Sequence, residues 1–107
     1  MNNLQIFKND NFGRVRVRKK NGEIIFIAKD VCKILDLGNT SKALYGLKDR
    51  WVTKSKVPHP QSSTKEMLVN AVTEPGLYAL VFKSNKPEAE KFTDWIAEDV
   101  LPEIRKT

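Results

Sequence analysis

Cysteine and histidine are the side chains that this sequence of 107 residues has least of, with one of each. The lone Cys32 cannot form an internal disulfide, and one cysteine with one histidine cannot make a structural zinc site. His59 stands between two prolines, without a plausible partner for nucleophilic catalysis. The five glycines form no phosphate-binding loop. We therefore expect a protein that is not an enzyme and that holds no metal and no cofactor.

Long apolar runs are missing as well. No stretch of about 18 apolar residues occurs, as a transmembrane helix would require. A secretory signal begins with a basic region followed by an apolar run. The first five residues, Met1 to Gln5, do not contain this pattern. Together with the lone cysteine, these features predict a reduced, cytoplasmic protein with no membrane partner.

The chain length and the charge distribution indicate the number of domains and the class of partner. The chain is about one domain long, and 40% hydrophobic residues are enough to form a core, so residues 1–107 are assigned to a single domain. The net charge of +6 is divided unevenly. Residues 1–60 carry 13 Lys or Arg and 5 Asp or Glu (net +8), whereas residues 61–107 carry 6 and 8 (net −2). A basic half is typical of a surface that meets nucleic acid, although small proteins also use positive charge for solubility alone.

The beginning of the chain predicts antiparallel strands. Residues 14–18 alternate arginine and valine, as a strand with two different faces does. Asn21-Gly22 is the preferred pair for a two-residue type I′ turn, and residues 24–27 supply the returning strand. Residues 4–7 predict a third strand, which ends at the turn residues 9–11.

Short helices are predicted next. Residues 28–38 have apolar positions at helical spacing, with Gly38 as the stop. A second short helix follows, capped by one of residues 39–41. Residues 51–63 have no clear period, and the Pro-His-Pro sequence at 58–60 predicts an exposed loop.

The remainder predicts one strand and two C-terminal helices. Residues 67–72 return to the sheet, Thr73 caps the first helix, Pro87 begins the last helix and Pro102 ends it. The apolar stripe of the last helix consists of Ala89, Phe92, Trp95, Ile96 and Val100. The pattern predicts an α+β fold: a small antiparallel sheet with an N-terminal β-hairpin, packed against several short helices, two of them C-terminal.

Two blocks of the sequence resemble the Bro-N domain, the N-terminal module of phage antirepressors and viral BRO proteins. Residues 26–38, FIAKDVCKILDLG, are similar to the family's F-x-A-x-D-V…L-G run. Residues 74–106 are similar to its E-x-G-L-Y-x-L…S-x-K-P-E-A-x-x-F-x-x-W…V-L-P-x-I-R run, a string of fixed spacings that is far more specific than one motif. The sequence departs from the family at Pro75, where a small residue is usual, so the start of that helix is expected to differ locally.

This resemblance implies a prophage antirepressor-type transcriptional regulator in the cytoplasm of a bacterial host. BRO proteins are associated with DNA binding, which for this chain implies DNA contact by the basic N-terminal half. The antirepressor branch implies the alternative, a protein that sequesters a phage repressor without binding DNA itself. A third alternative is a homo-oligomer that arranges a further effector domain.

The alternating strand carries the first candidate DNA contacts. Arg14, Arg16 and Arg18 fall on one strand face at intervals of about 6.7 Å, close to the spacing of successive phosphates. The planar guanidinium fork suits phosphate oxygens, and Lys19 and Lys20 extend the patch to the hairpin tip.

The same face has a purely structural interpretation. In a two-residue hairpin, Ile25 lies opposite Arg18 and Ile27 lies opposite Arg16. The arginine stems can therefore cover these isoleucines while the charged heads stay in water.

The two short helices around Gly38 supply the second group of candidates. They resemble a helix-turn-helix, although Asn39 stands at a position that is usually apolar there, and a plain helical hairpin is the alternative. Base readout is therefore not predicted, whereas phosphate contact is. The candidates on this second helix and just after it are Lys42, Tyr45, Lys48 and Arg50, with Trp51 as a surface aromatic.

Carboxylates on the last predicted helix are candidates for a protein contact. Glu90, Asp94 and Glu98 recur at four-residue spacing, which places them on one helix face. Such a face is usually solvated or meets a protein, and catalysis or metal binding is not expected from it. It would suit a repressor whose own DNA-binding surface is basic.

Overall fold

Five strands form one antiparallel sheet in the computed structural model, which describes residues 4–62 and 64–106. In chain order the strands are β1 (Gln5–Asn9), β2 (Gly13–Lys20), β3 (Glu23–Ile27), β4 (Val52–Pro58) and β5 (Glu66–Thr73). Across the sheet the order is β1-β2-β3-β5-β4, so β1 and β4 form its edges.

Short helices lie between β3 and β4 and after β5, and they confirm the α+β class. They are α1 (Ala28–Ile34), α2 (Thr40–Tyr45), α3 (Glu74–Lys83), α4 (Ala89–Trp95) and α5 (Leu101–Arg105). A 3₁₀ turn, Asp49–Trp51, precedes β4, and a π-helical turn, Ile96–Val100, joins α4 to α5. Within the described residues, no helix has both the length and the apolar character that crossing a membrane requires.

The β2–β3 hairpin forms as the sequence predicts. Asn21 and Gly22 adopt φ values of +52° and +80°, as a type I′ turn requires. This turn sets the register, in which Arg18 pairs with Ile25 as expected. The third predicted strand is also present, as β1, and it pairs with β2.

The two faces of the sheet are buried differently. Val15, Val17 and Phe26 are fully buried in the main core, which the helices complete with Leu77, Leu80, Phe92 and Ile96. The opposite face carries a smaller apolar cluster of Ile25, Ile27, Val57 and Ala71, against which Leu4 and Val69 pack. Lys20 Nζ of β2 donates to Lys54 O of β4 over 3.1 Å, although two strands lie between them. The sheet therefore curls around its smaller cluster.

One strand went unpredicted. β4 occupies residues 52–58 within the segment that has no clear period, and it pairs with β5 from Val52↔Val72 to Pro58↔Glu66. Its buried positions are Ser55 and Val57. Because one of the two is a serine, the hydrophobic alternation that marks a half-buried strand is missing from the sequence. The Pro-His-Pro loop is present, but it begins only as the strand ends.

Two expected C-terminal helix ends are wrong, and the last predicted helix begins at Ala89 rather than at Pro87. Helix α1 ends at Ile34, and Asp36, not Gly38, takes the left-handed conformation with a φ of +59°. Pro102 does not end the last helix, because the chain continues as α5 with Pro102 in its first turn. A proline is tolerated there because the first turn of a helix does not need its N–H, and the preceding π turn resets the hydrogen-bond register.

Close packing at the start of α3 explains why the second motif block has a glycine at residue 76. Thr73 caps the helix as expected, since its side chain accepts from Gly76 N over 3.4 Å, and Pro75 lies in the first turn. A Cβ on Gly76 would lie 2.7 Å from Trp51 O and 3.0 Å from Val72 Cβ. Only glycine therefore lets the Trp51 backbone pack against the first turn of α3.

Candidate nucleic-acid interface

The arginines of β2 lie on the sheet face that points away from the helices. Their neighbours Val15 and Val17 are fully buried in the helix-side core. Side chains alternate along a strand, so Arg14, Arg16 and Arg18 point to the other face. The structure thus confirms that the three arginines share one face.

Arg16 is held by Asp30 at the start of α1. Arg16 Nε donates to Asp30 Oδ2 over 2.8 Å, Arg16 Nη2 to Oδ1 over 2.9 Å, and the Arg16 backbone N–H to Oδ2 over 2.9 Å. Side-chain hydrogen bonding to Asp30 raises the pKa of Arg16 above its ordinary value, and burial opposes this shift. The fork that would grip a phosphate is thus occupied by a carboxylate of the same chain.

The other cations of β2 are also partly engaged. Arg18 is half-buried across from Ile25, and Lys20 Nζ donates to Lys54 O. Lys19 is half-buried on the helix side, opposite Ile24. Among the β2 candidates Arg14 keeps an exposed position next to the β1–β2 turn. The strand therefore offers less free positive charge than its sequence indicates.

The second group of candidates forms an exposed surface, here named the α2 surface and defined as residues 41–51. Lys42, Lys48 and Arg50 are exposed, and Tyr45 is 90% exposed. Lys48 Nζ lies 5.1 Å from the centroid of the Trp51 ring, and Arg50 Cζ lies 5.8 Å from it. Both distances are within the range of cation–π contact.

A helix cap and two contacts with α3 hold the α2 surface in place. Helix α2 begins at an Asn39 cap, whose side chain accepts from Lys42 N over 3.0 Å, and it buries Ala43 and Leu44. At its other end Lys83 Nζ of α3 donates to Ala43 O over 2.9 Å. The Trp51 carbonyl packs on α3, as described above, so the surface is anchored at both ends.

The second helix of the pair around Gly38 is too short to serve as a recognition helix. Helix α2 has six residues, so it is about 9 Å long. Thr40, at the start of this helix, is half-buried beside Cys32. Burial raises the pKa of the Cys32 thiol, and its hydrogen bond with Thr40 opposes this shift. These features favour the plain helical hairpin, with phosphate contact rather than base readout.

The basic half of the sequence therefore forms two separate surfaces. The β2 arginines lie on the face opposite the helices, whereas the α2 surface belongs to the helical layer, where α2 packs against α1 and α3. Sequence reasoning could find both groups of charges. It could not assign them to different sides of the sheet, because that depends on where α1 and α2 pack.

Two of the three predicted acidic residues lie together in a groove. Asp94 and Glu98 line a cavity of about 550 Å³ between α4 and the β1–β2 turn, whereas Glu90 does not line it. Glu98 belongs to the π-helical turn. The groove also contains Phe12 and Trp95, whose ring centroids are 5.9 Å apart. Phe12 was missed, since nothing near it in the sequence indicates a binding role.

Comparisons with known proteins agree with the motif blocks. Residues 14–102 match the model of the BRO family, N-terminal domain. An uncharacterized protein of Haemophilus influenzae is 44% identical over 111 residues, covering 100% of this chain and 54% of that protein. A putative Bro-N domain-containing protein, 201R, of Invertebrate iridescent virus 6 is 34% identical over 104 residues, covering 76% and 24%.

A shorter match is with the putative Bro-N domain-containing protein 019R of Invertebrate iridescent virus 3. It is 57% identical over 35 residues, which is 33% of this chain and 9% of the viral protein. The chain thus spans about half, or less, of the length of these relatives. No solved structure gives a significant match.

Proposed function

The chain belongs to the Bro-N family, the N-terminal domain of the BRO family, and we propose that it regulates transcription by binding DNA through the α2 surface. Family membership makes it a BRO or antirepressor-like regulatory domain, in a family not known for enzymes. DNA contact by Lys42, Tyr45, Lys48 and Arg50 is the added proposal, and so is its role in a prophage antirepressor.

One observation carries this choice of surface. On β2, Arg16 is bound by Asp30 and Lys20 by the β4 backbone. On the α2 surface the three cations are exposed, and no salt bridge to them occurs within the described residues. Lys48 and Arg50 contact the face of the Trp51 ring, so phosphate binding breaks no ion pair there and costs less free energy than at Arg16.

The number of cations sets the expected salt dependence. Each phosphate that is neutralised on duplex DNA contributes about −0.9 to the slope of log affinity against log salt. Three contacts predict a slope of about −2.7, which is about a 40-fold loss of affinity between about 50 and 200 mM salt.

A pair of triple variants tests the surface. We expect Lys42→Ala with Lys48→Ala and Arg50→Ala to remove most of the binding to a mixed-sequence duplex, measured by fluorescence anisotropy at about 50 mM salt. The matched control, Arg14→Ala with Arg18→Ala and Lys20→Ala, removes the same charge from β2. A larger loss in the control would assign DNA to β2 instead. No binding by the unchanged protein at this salt would refute DNA binding altogether.

A second function rests on the acidic groove. Asp94 and Glu98 line it beside the aromatic pair Phe12 and Trp95, an arrangement that favours a basic protein surface such as that of a phage repressor. In this alternative the chain sequesters the repressor without binding DNA. Co-purification with a cognate repressor, and operator release that persists in the triple α2 variant, would support it. Release that is lost in that variant would contradict it.

A further inference from the structure

We propose that β1 and the acidic groove beside it bind an extended, lysine- or arginine-rich segment of a partner protein as an added strand. The proposal concerns the side of the sheet that β1 borders and does not depend on DNA binding. It stands on three features that meet there: a free hydrogen-bonding edge, an aromatic floor and a wall of carboxylates.

The free edge is the outer side of β1. The Arg16 N–H points to Asp30, on the β3 side of β2. Backbone groups alternate between the two sides of a strand, so those of Val15 and Val17 point to β1. Their partners in β1 are Phe7 and Gln5. The backbone N–H and C=O groups of Ile6 and Lys8 therefore point outward, where no described strand pairs with them.

Two grooves run along this edge and share a wall. The first, already described, includes Asn9 of β1 and has a volume of about 550 Å³. The second, of about 510 Å³, includes Phe7 of β1 and residues of α5. Glu98 and Asp99 of the π-helical turn line both. The grooves thus lie end to end beside Phe7 and Asn9, two residues on the same face of one edge strand.

The charge of this wall selects the occupant. Across both grooves the acidic lining residues outnumber the lysines; the acids are Glu88, Asp94, Glu98, Asp99 and Glu103, and the lysines are Lys91 and Lys106. A polyanion such as DNA would be repelled here, whereas cationic side chains would be attracted. The segment that binds in the grooves is therefore expected to be basic.

The aromatic floor suits the stems and heads of those side chains. Phe12 and Trp95 are half-buried, with ring centroids 5.9 Å apart, and both line the first groove. A lysine or arginine above the Trp95 ring would gain a cation–π contact. The carboxylates of Asp94 and Glu98, which line the same groove, would form ion pairs with it. Aliphatic stems can lie on the rings at the same time.

The two edges of the sheet differ in a way that favours β1. On β4, Lys54 and Lys56 are exposed, Pro58 closes the strand, and Lys20 already occupies the Lys54 carbonyl, whereas β1 carries one exposed lysine, Lys8, and no proline. Edge lysines and prolines are devices that prevent strand addition. Added strands bind through main-chain hydrogen bonds and take specificity from alternate side chains, so a basic extended segment fits β1.

A peptide probe tests the proposal on the intact chain. The probe is a labelled peptide of about eight residues that alternates lysine and valine, with a glutamate–valine peptide as its counterpart. Fluorescence anisotropy at about 50 mM salt should show saturable binding of the lysine peptide alone, weakening as salt rises. Amide hydrogen exchange should show that the bound peptide slows exchange at Ile6 and Lys8. Absence of binding, or equal binding of both peptides, would overturn the proposal.

Two matched pairs of variants separate the wall from the edge. Glu98→Lys alone should weaken peptide binding about fivefold, and adding Asp99→Lys should weaken peptide binding about 25-fold in total. Glu90→Lys, an exposed reversal on α4 outside the groove, should change it less than twofold. Ile6→Pro removes an outward N–H and should weaken binding, whereas Ile6→Ala keeps that N–H and should not. An equal effect within either pair would contradict this site.

Discussion

At the residue scale, Gly76 is the glycine with the least room for a side chain. Because a Cβ would meet Trp51 O at 2.7 Å, Gly76→Ala should lower the free energy of unfolding by about 1–3 kcal/mol. Urea denaturation followed by circular dichroism measures this change. Gly38→Ala is the matched control, since no atom beyond its two chain neighbours lies within 4 Å of its Cβ position, and it should cost less than about 0.5 kcal/mol. Equal losses would show that the Trp51 contact does not restrict residue 76.

Asp30 has a larger structural role than a charged residue in the first turn of a helix usually has. Its carboxylate accepts from both the side chain and the backbone of Arg16, and the side chain of Asp30 is only 16% exposed. Asp30→Ala should therefore cost about 2–3 kcal/mol of unfolding free energy, because the half-buried guanidinium and an amide lose their acceptor.

A double-mutant cycle with Arg16→Met measures the coupling within this pair. We expect Asp30→Ala to cost less in the Arg16→Met background than in the unchanged protein, by about 1–2 kcal/mol. Strictly additive costs would mean that the ion pair contributes nothing and that only the backbone hydrogen bond matters.

At the scale of single elements, α2 depends on its cap. The helix has six residues, and Asn39 satisfies the Lys42 N–H. Asn39→Ala should cost about 1 kcal/mol of stability, as loss of a helix N-cap usually does. The neighbouring exposed Ser41→Ala serves as the control in thermal unfolding and should have little effect. If both variants unfold alike, the Asn39 cap is not needed for α2.

Elements with a local cause could be predicted from the sequence. The β2–β3 hairpin follows from Asn21-Gly22, and α3 begins where Thr73 can cap it. β4 could not be predicted because Ser55 takes a buried position through packing with distant strands. The continuation past Pro102 depends on the π turn, which no sequence period announces.

The sequence is sufficient to predict which neighbouring residues belong to a candidate site, but not which distant residues complete its surface. Lys42, Tyr45 and Lys48 follow one another on a short segment, so they were found together. The groove joins Phe12 to Trp95 and Asp99, which lie more than 80 positions later in the sequence and come near it only when the β1–β2 turn packs against α4. Tertiary packing alone brings them into contact, and single-sequence patterns do not contain it.

At the scale of the whole molecule, the two surfaces should act independently. Glu98→Lys with Asp99→Lys changes the β1 groove and leaves the residues of the α2 surface unchanged. We expect this variant to bind duplex DNA at least as well as the unchanged protein, since it carries four more units of positive charge, about a net +10. Parallel titrations with duplex and with the lysine–valine peptide check this. Weaker DNA binding by this variant would show that the surfaces are coupled.

The sheet order has a consequence for the folding kinetics of the chain. β1–β2–β3 and β4–β5 are two antiparallel units that form between neighbours in sequence, and only three pairs, Ile25↔Thr73 to Ile27↔Ala71, join them. Joining them closes the long loop that contains α1 and α2, and the entropy lost in that closure comes before most core contacts form. The seam between β3 and β5 is therefore where we place the rate-limiting step, so that truncating Val72 should slow folding more than it speeds unfolding.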